Sequence, residues 1–214
     1  MPDTLSCGAG LEPAAERALR GRTQDGCLAP FLHDGDVPAI EPPTLRDGDL
    51  TLRPPLPGDA EAVTAACQDA AIHRWVRVPS PYRREHAESW LARCAAQARA
   101  GEAITLLAEH GDGRLAGSFS LLELSRGDGY GEIGYWVAAD ARGRGAATRS
   151  VVLLRDWAVE ALRLRTIEIL VHRDNAPSRA VALRAGFADT GELRTLPRDD
   201  DPGPPALIVY LWEA

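Results

Sequence analysis

The chain reads as an α+β domain, a mixed α/β fold. Its elements follow the order β-α-α-β-β-β-α-β-α-β-β, three successive strands are joined by glycine-bearing turns, and there is one clear strand-helix-strand crossover. The crossover makes the strands at 131–137 and 166–171 parallel neighbours. An arginine- and glycine-rich turn lies between them.

Taken in order, Leu50-Thr51-Leu52-Arg53 alternates as a short strand ended by Pro54-Pro55. Gly58-Asp59-Ala60-Glu61 starts a helix running to about residue 70, and residues 72–82 form a loop or short helix with apolar side chains to spare. A helix over 83–100 places Trp90, Leu91, Cys94 and Ala98 on one face. Strands follow at 103–108, 114–123 and 131–137, separated by His110-Gly111-Asp112-Gly113 and Arg126-Gly127-Asp128-Gly129. The helix over 145–162 carries Ala147, Val151, Leu154, Ala158 and Ala161 as an apolar stripe suited to packing on a sheet. Ile167, Ile169 and Val171 alternate inward in the next strand, after which Asp174-Asn175 caps a helix with Pro177 in its first turn and Gly186 at its end. The final strands, 188–193 and 206–212, flank a loop holding Arg198-Asp199-Asp200-Asp201-Pro202.

Composition bounds the possibilities. At 214 residues, 45% hydrophobic and 26% charged, the chain suits one soluble globular core. The net charge of −7 divides into −4 for residues 1–44 and −3 for the rest, and a mildly acidic body argues against a nucleic-acid surface. Residues 1–44, where Gly, Pro and Asp interrupt every apolar stretch, read as a disordered or loosely docked extension with one candidate helix at 11–20; residues 45–214 form the domain. Cys7, Cys27, Cys67 and Cys94 lack metal-ligand spacing, so no metal is expected, and free thiols in a reducing cytoplasm are. No apolar run is long enough for a membrane anchor.

The segment 130–149 is the most informative. A strand runs into Arg142-Gly143-Arg144-Gly145-Ala146-Ala147-Thr148 and the turn opens onto a helix. The first N–H groups of a helix have no intrahelical partner and carry the positive end of its dipole, so such a start binds phosphate. Two phosphate loops fail here. A dinucleotide fingerprint needs G-x-G-x-x-G after the first strand and a later acidic residue, but the turn is G-x-G-x-x-T after the fourth strand, with Arg163–Arg165 in the acidic position. A Walker loop needs lysine, and all 24 basic residues of this chain are arginine.

Arg142 to Ala147 fits R/Q-x-x-G-x-G/A between a strand and a helix, and it is followed by Asn175-Ala176-Pro177-Ser178, Val181-Ala182 and Arg184-Ala185-Gly186-Phe187. With these motifs in this order, residues 50–212 resemble the GNAT superfamily of acetyl-CoA-dependent N-acetyltransferases. They are most similar to its branch of ribosomal-protein N-terminal alanine and serine acetyltransferases. The resemblance implies a three-layer fold with a mostly antiparallel sheet of about seven strands and one splayed parallel pair. It implies acetyl-CoA as cosubstrate, with its pyrophosphate on the N–H groups of Arg142, Gly143, Arg144, Gly145, Ala146 and Ala147, and Thr148 next. Its pantetheine arm would lie along Val137, Ala138 and Ala139, with Asn175 touching it from the next helix; Asn175 is equally readable as a plain N-cap.

For the chemistry, Glu132 is the candidate base, with His172 and water alone as rivals. The family often carries a tyrosine seven residues after the asparagine as acid for the leaving thiolate. That position is Ala182 here, which leaves Ser178 as the hydroxyl nearest to that role. Tyr135 and Trp136 are candidates to line the acceptor pocket. The expected activity is acetyl transfer to a protein N-terminus or a small amine, by a cytoplasmic monomer or homodimer acting on neither nucleic acid nor membrane. The alternative is an acyl-CoA-binding or regulatory protein that lost the chemistry with its tyrosine. The run Asp199–Asp201 would favour a cationic acceptor, or is simply a solvated loop.

Overall fold

The computed structural model describes residues 39–195 and 206–214. The candidate helix at 11–20, the rest of residues 1–38 and the Asp199–Asp201 run lie outside the described residues. The strands are β1 (Leu45–Asp47), β2 (Leu50–Arg53), β3 (Ile104–His110), β4 (Leu115–Ser125), β5 (Tyr130–Val137), β6 (Thr166–His172), β7 (Ala188–Thr195) and β8 (Ala206–Glu213). The helices are α1 (Ala60–Ala66), α2 (Ala70–Trp75), α3 (Arg84–Ala100), α4 (Ala146–Leu162) and α5 (Ala176–Arg184), with single 3-10 turns at Pro57–Asp59 and Ala139–Ala141. The strands form one sheet in the order β1-β2-β3-β4-β5-β6-β8-β7.

Three details differ from the sequence expectation. The sheet has eight strands among the described residues, because Leu45–Asp47 pairs antiparallel with β2. Three residues are too few to show a two-residue period. The helix expected from residue 58 to about 70 stops early, at Ala66, and α2, capped by Asp69 accepting the N–H of Ala71 at 2.8 Å, starts two residues ahead of the 72–82 stretch read as a loop or short helix. No glycine or proline marks that break, so only the capping aspartate signals it.

Strand alternation divides the sheet into two dissimilar faces. On one, Leu106, Phe119, Leu121, Ile133, Ile167 and Ile169 join Val151, Leu154 and Ala158 of α4 and Ala182 of α5 in the main core. Each such fully buried Leu, Ile or Phe contributes about 1.5–3 kcal/mol. The α4 stripe is rotated slightly from expectation: Ala146, Ser150, Val151, Leu154, Ala158 and Leu162 are buried, while Ala161 faces solvent. On the other face, Leu107 packs with Val63, Cys67, Ala87 and Leu91 of the α1–α3 segment. Ion pairs from Arg149 to Asp47 and Asp49 tie α4 to the β1–β2 hairpin.

Every neighbouring pair is antiparallel except β5 and β6. Beside them, Gly117 on β4 is where the chain admits no side chain, since a Cβ there would run into the carbonyl oxygen of Trp136 on β5. Gly117→Ala should therefore lower the unfolding free energy by about 1–3 kcal/mol through backbone displacement. Gly134→Ala, whose Cβ would meet only the movable Leu122 Cδ1 at 3.2 Å, should cost less. Denaturant titration of both variants checks the order.

Candidate functional site

The parallel ladder between β5 and β6 holds for three register pairs, Tyr130 with Thr166, Gly131 with Ile167 and Glu132 with Glu168, and then stops. Beyond Glu132, β5 stays extended because β4 pairs with it as far as Val137, and β6 stays extended because β8 pairs with all of it through His172. The two strands thus diverge with their outer edges secured and their inner edges facing a gap. Ala138 N–H donates to the Ala116 carbonyl at 2.9 Å. By alternation in an antiparallel pair, the peptide groups of Tyr135 and Val137 then point away from β4 and into the gap.

At the wide end of the gap the chain makes the arginine-glycine turn. After the 3-10 turn Ala139–Ala141, Gly143 (φ +74°) and Gly145 (φ +79°) adopt left-handed backbone that strains any other residue. Gly145 is the N-cap of α4, and no side chain caps that helix. A Cβ on either glycine would meet nothing within 4 Å, so the turn is open on its outer side. The N–H groups at the start of α4 and the positive end of its dipole are therefore presented to whatever occupies that space. Arg144 is exposed and forms no ion pair or hydrogen bond with any side chain among the described residues.

Arg142 is used differently. Its guanidinium folds back to donate to the Val137 carbonyl at 2.9 Å and pairs with Asp69 at 2.6 Å. The Ala71 N–H, with that guanidinium, holds the Asp69 carboxyl below the usual carboxylate range. At the far end of α2, the Trp75 ring lies 5.0 Å from the His172 ring at the end of β6. Helix α2 is thus attached to both sides of the gap. That role is invisible in local sequence, because both attachments are long-range.

On the α4–α5 face, the Tyr135 hydroxyl and the Ser178 Oγ are 2.7 Å apart. Ser178 sits in the first turn of α5, where its N–H donates to Asn175 Oδ1 at 3.2 Å, so Asn175 is the N-cap of that helix. Burial pushes the Tyr135 phenol up to about 12, which keeps it protonated. Ala182 is fully buried and brings no hydroxyl. The phenol near α5 comes instead from the neighbouring strand.

Glu132 belongs to the opposite face, with Tyr130, Gly134 and Trp136 by alternation. It stands at the last paired position before the gap, beside Glu168 in register. Glu168 is buried and held by Arg194 at 2.6 Å and by the Tyr130 hydroxyl at 2.8 Å. Burial and the Glu168 and Glu132 charges raise the Tyr130 phenol, so it donates rather than ionises. The other candidate base, His172, has its Nδ1 lone pair engaged: it accepts the N–H of Asp174 at 3.2 Å, which leaves the neutral ring's proton on Nε2.

On the same face as Glu132, a cavity of about 480 Å³ lies between the sheet and the α1–α3 segment. Thr105, Ser118 and Ser120 contribute hydroxyls from the sheet, and the cavity reaches Gly134, Tyr135 and Trp136 at the gap. Tyr135 and Trp136, singled out from sequence, both line it. Cys67 and Cys94 are buried unpaired thiols in its wall, the first pushed up to about 11 by burial and the second also raised. Among the described residues, no three His, Cys, Asp or Glu side chains gather as a metal ion would need, and no helix is long and apolar enough to cross a membrane.

The sequence model of the acetyltransferase (GNAT) domain matches residues 49–188. YdaF of Bacillus subtilis (strain 168), provisionally named a ribosomal N-acetyltransferase, is 39% identical over 83 residues. That match covers 39% of this chain and 45% of YdaF, so it spans less than half the length of that relative. Mycobacterium smegmatis RimJ, solved in complex with CoA-disulfide, superposes with a TM-score of 0.71 at 25% identity, covering 80% of this chain and 86% of that one. Spermidine N-acetyltransferase from Vibrio cholerae, in complex with CoA and spermine, shares the fold at a TM-score of 0.67 and 16% identity, covering 78% and 96%.

The double attachment of α2 has a measurable consequence. Asp69→Ala removes the cap and the Arg142 partner together and should lower the unfolding free energy by about 1 kcal/mol or more. Asp69→Asn, which keeps a capping oxygen, should cost less. Chemical denaturation, with amide exchange in 70–75 as the local readout, checks both.

Proposed function

Because the chain belongs to the acetyltransferase (GNAT) domain family, we propose that residues 45–214 transfer an acetyl group from acetyl-CoA to a primary amine by direct attack. The observation that carries this reading is the parallel ladder that breaks after Glu132 and leads into the open glycine turn. Acetyl-CoA is the substrate whose two parts match those two features. Its amide-containing arm supplies hydrogen-bond partners to strand edges that have lost theirs, and its pyrophosphate is an anion for a helix N-terminus. The N–H groups of Arg142 to Ala147 and the exposed Arg144 guanidinium serve the pyrophosphate, with Thr148 in the following helical position.

Within residues 137–139, the Ala138 N–H and the Val137 carbonyl are engaged inside the protein. The Ala138 and Ala139 carbonyls are also engaged, by the N–H groups of Ala141 and Arg142, which leaves the Val137 and Ala139 N–H groups and the Tyr135 peptide for the arm. Asn175 spends its Oδ1 on the α5 cap, and its amide nitrogen is available to the arm.

In the reaction a nitrogen–carbon bond forms and the carbon–sulfur bond of the thioester breaks. The amine gives up a proton and the departing sulfur takes one. Glu132 accepts the amine proton, directly or through water, from the cavity side of the sheet. Ser178 donates to the departing sulfur from the other side, with the protonated Tyr135 behind it at 2.7 Å to replenish or stabilise the serine. Glu168, tied to Arg194 and Tyr130, is a positioning residue for the strand end that bears Glu132. The Tyr135–Ser178 pair favours an enzyme over the non-catalytic acyl-CoA-binding alternative that Ala182 suggests, because it supplies the hydroxyl that position 182 lacks.

The acceptor is a protein N-terminus or a small amine. The curated relative carries a ribosomal name, while the spermidine enzyme carries the same fold with a polyamine. Fold alone does not choose between them.

Release of free thiol from acetyl-CoA, followed across a panel of amines and N-terminal peptides, tests the reading. Glu132→Gln should lower kcat by about 10²-fold or more while sparing CoA affinity; an unchanged rate removes Glu132 from the account. Ser178→Ala and Tyr135→Phe should each slow the chemical step, and not additively, since they act through one hydrogen bond. The pH profile of Tyr135→Phe should keep its shape, because a phenol at about 12 does not titrate in the assay range. CoA binding with no thiol released from any acceptor would contradict the enzyme reading.

A further inference from the structure

The cavity on the Glu132 face has an unusual charge. The chain is acidic overall, with 31 Asp and Glu against 24 Arg, yet no carboxylate lines this cavity among the described residues. Its ionisable lining, apart from the buried thiols and phenols, is Arg77, Arg93 and His86. Neither Arg77 nor Arg93 forms an ion pair or hydrogen bond with any described residue, whereas Arg83, Arg84, Arg142, Arg149 and Arg194 are all paired. The two come from different elements, Arg93 from α3 and Arg77 from the segment after α2. His86 Nδ1 accepts the Arg83 N–H at 3.0 Å, so its neutral ring presents an Nε2–H donor.

Two unpaired guanidiniums and an imidazole donor around a cavity with a hydroxyl-bearing floor are recognition groups for an anion. Guanidinium matches carboxylate and phosphate geometry with two parallel hydrogen bonds. The same groups repel a second ammonium on the acceptor. Resting on the acetyl-transfer reading above, we infer that the acceptor is a primary amine that also carries an anionic group. In a peptide acceptor this means acidic residues directly after the N-terminal one, and in a small molecule a carboxylate or phosphate near the amine. Polyamines are excluded as good acceptors. The amine reaches the gap at Gly134 and Tyr135, while its anionic part stays at the arginine rim.

The test compares Ala-Glu-Glu-Gly-amide, Ala-Gln-Gln-Gly-amide and Ala-Lys-Lys-Gly-amide, with spermidine as a fourth acceptor. Thiol release with acetyl-CoA reads turnover, and calorimetric titration of the CoA complex reads binding without turnover. The glutamate peptide should exceed the glutamine peptide in kcat/KM by roughly tenfold, and the lysine peptide and spermidine by more. The advantage should shrink at about 0.5 M salt. Arg77→Gln with Arg93→Gln should erase the order, and Arg77→Glu with Arg93→Glu should reverse it, both with CoA affinity retained.

Thiol release with no charge order, or with lysine peptide or spermidine preferred, would overturn the inference and leave acetyl transfer standing. No thiol release but tighter binding of the glutamate peptide, lost in the arginine variants, would uphold the cavity's preference and overturn acetyl transfer. Neither release nor selective binding would overturn both.

Discussion

Everything about this site depends on one interrupted ladder. Two parallel strands are hydrogen-bonded for three register pairs and then held apart, each by a different antiparallel neighbour on its outer edge. Interior peptide groups without partners are costly, and a sheet normally avoids leaving them. Here the cost is contained because β4 and β8 keep both strands extended, and because an amide-rich ligand can complete the inner edges. The glycine turn and the start of α4 lie at the wide end because β5 runs straight into them. The gap and the open glycine turn are therefore consequences of one strand's course.

A gap in a sheet also joins its two faces. On one side lies the Tyr135–Ser178 hydrogen bond, on the other Glu132 and the cavity beneath α1–α3. The proposed reaction asks for a proton acceptor and a proton donor in different places, and the alternation of β5 puts Glu132 and Tyr135, three residues apart along one strand, on opposite faces. The supporting contacts are of a different kind. Glu168 with Arg194 and Tyr130 steadies the strand end that carries Glu132, and Arg142 with Asp69 fixes α2 against the turn. These contacts fix the geometry of the strand end and of α2.

Much of this was legible in the chain itself, for local physical reasons. The strand, turn and helix of 130–162 are encoded by alternation, by two glycines at positive φ and by a 3.6-residue apolar stripe, all within one continuous stretch of chain. Asn175 and Pro177 announce α5 in the same way. What escaped depends on contacts distant in sequence. Position 182 announced a missing phenol, but only the fold shows that Tyr135, forty-three residues before Ser178, brings a hydroxyl to 2.7 Å from it. The two arms of α2, Asp69 to Arg142 and Trp75 to His172, are likewise products of packing. The acidic run Asp199–Asp201 drew attention as sequence, whereas the arginines at the cavity rim had no local pattern to mark them.

The most direct measurement is amide hydrogen exchange along residues 130–148 and 166–180, with and without CoA, in the full chain. Protection should appear at Tyr135, Val137 and the first N–H groups of α4, and should spare Tyr130–Glu132, where the ladder is already closed. Unchanged exchange at Tyr135 and Val137, or protection confined to another part of the sheet, would contradict the assignment of the gap as the place where CoA binds.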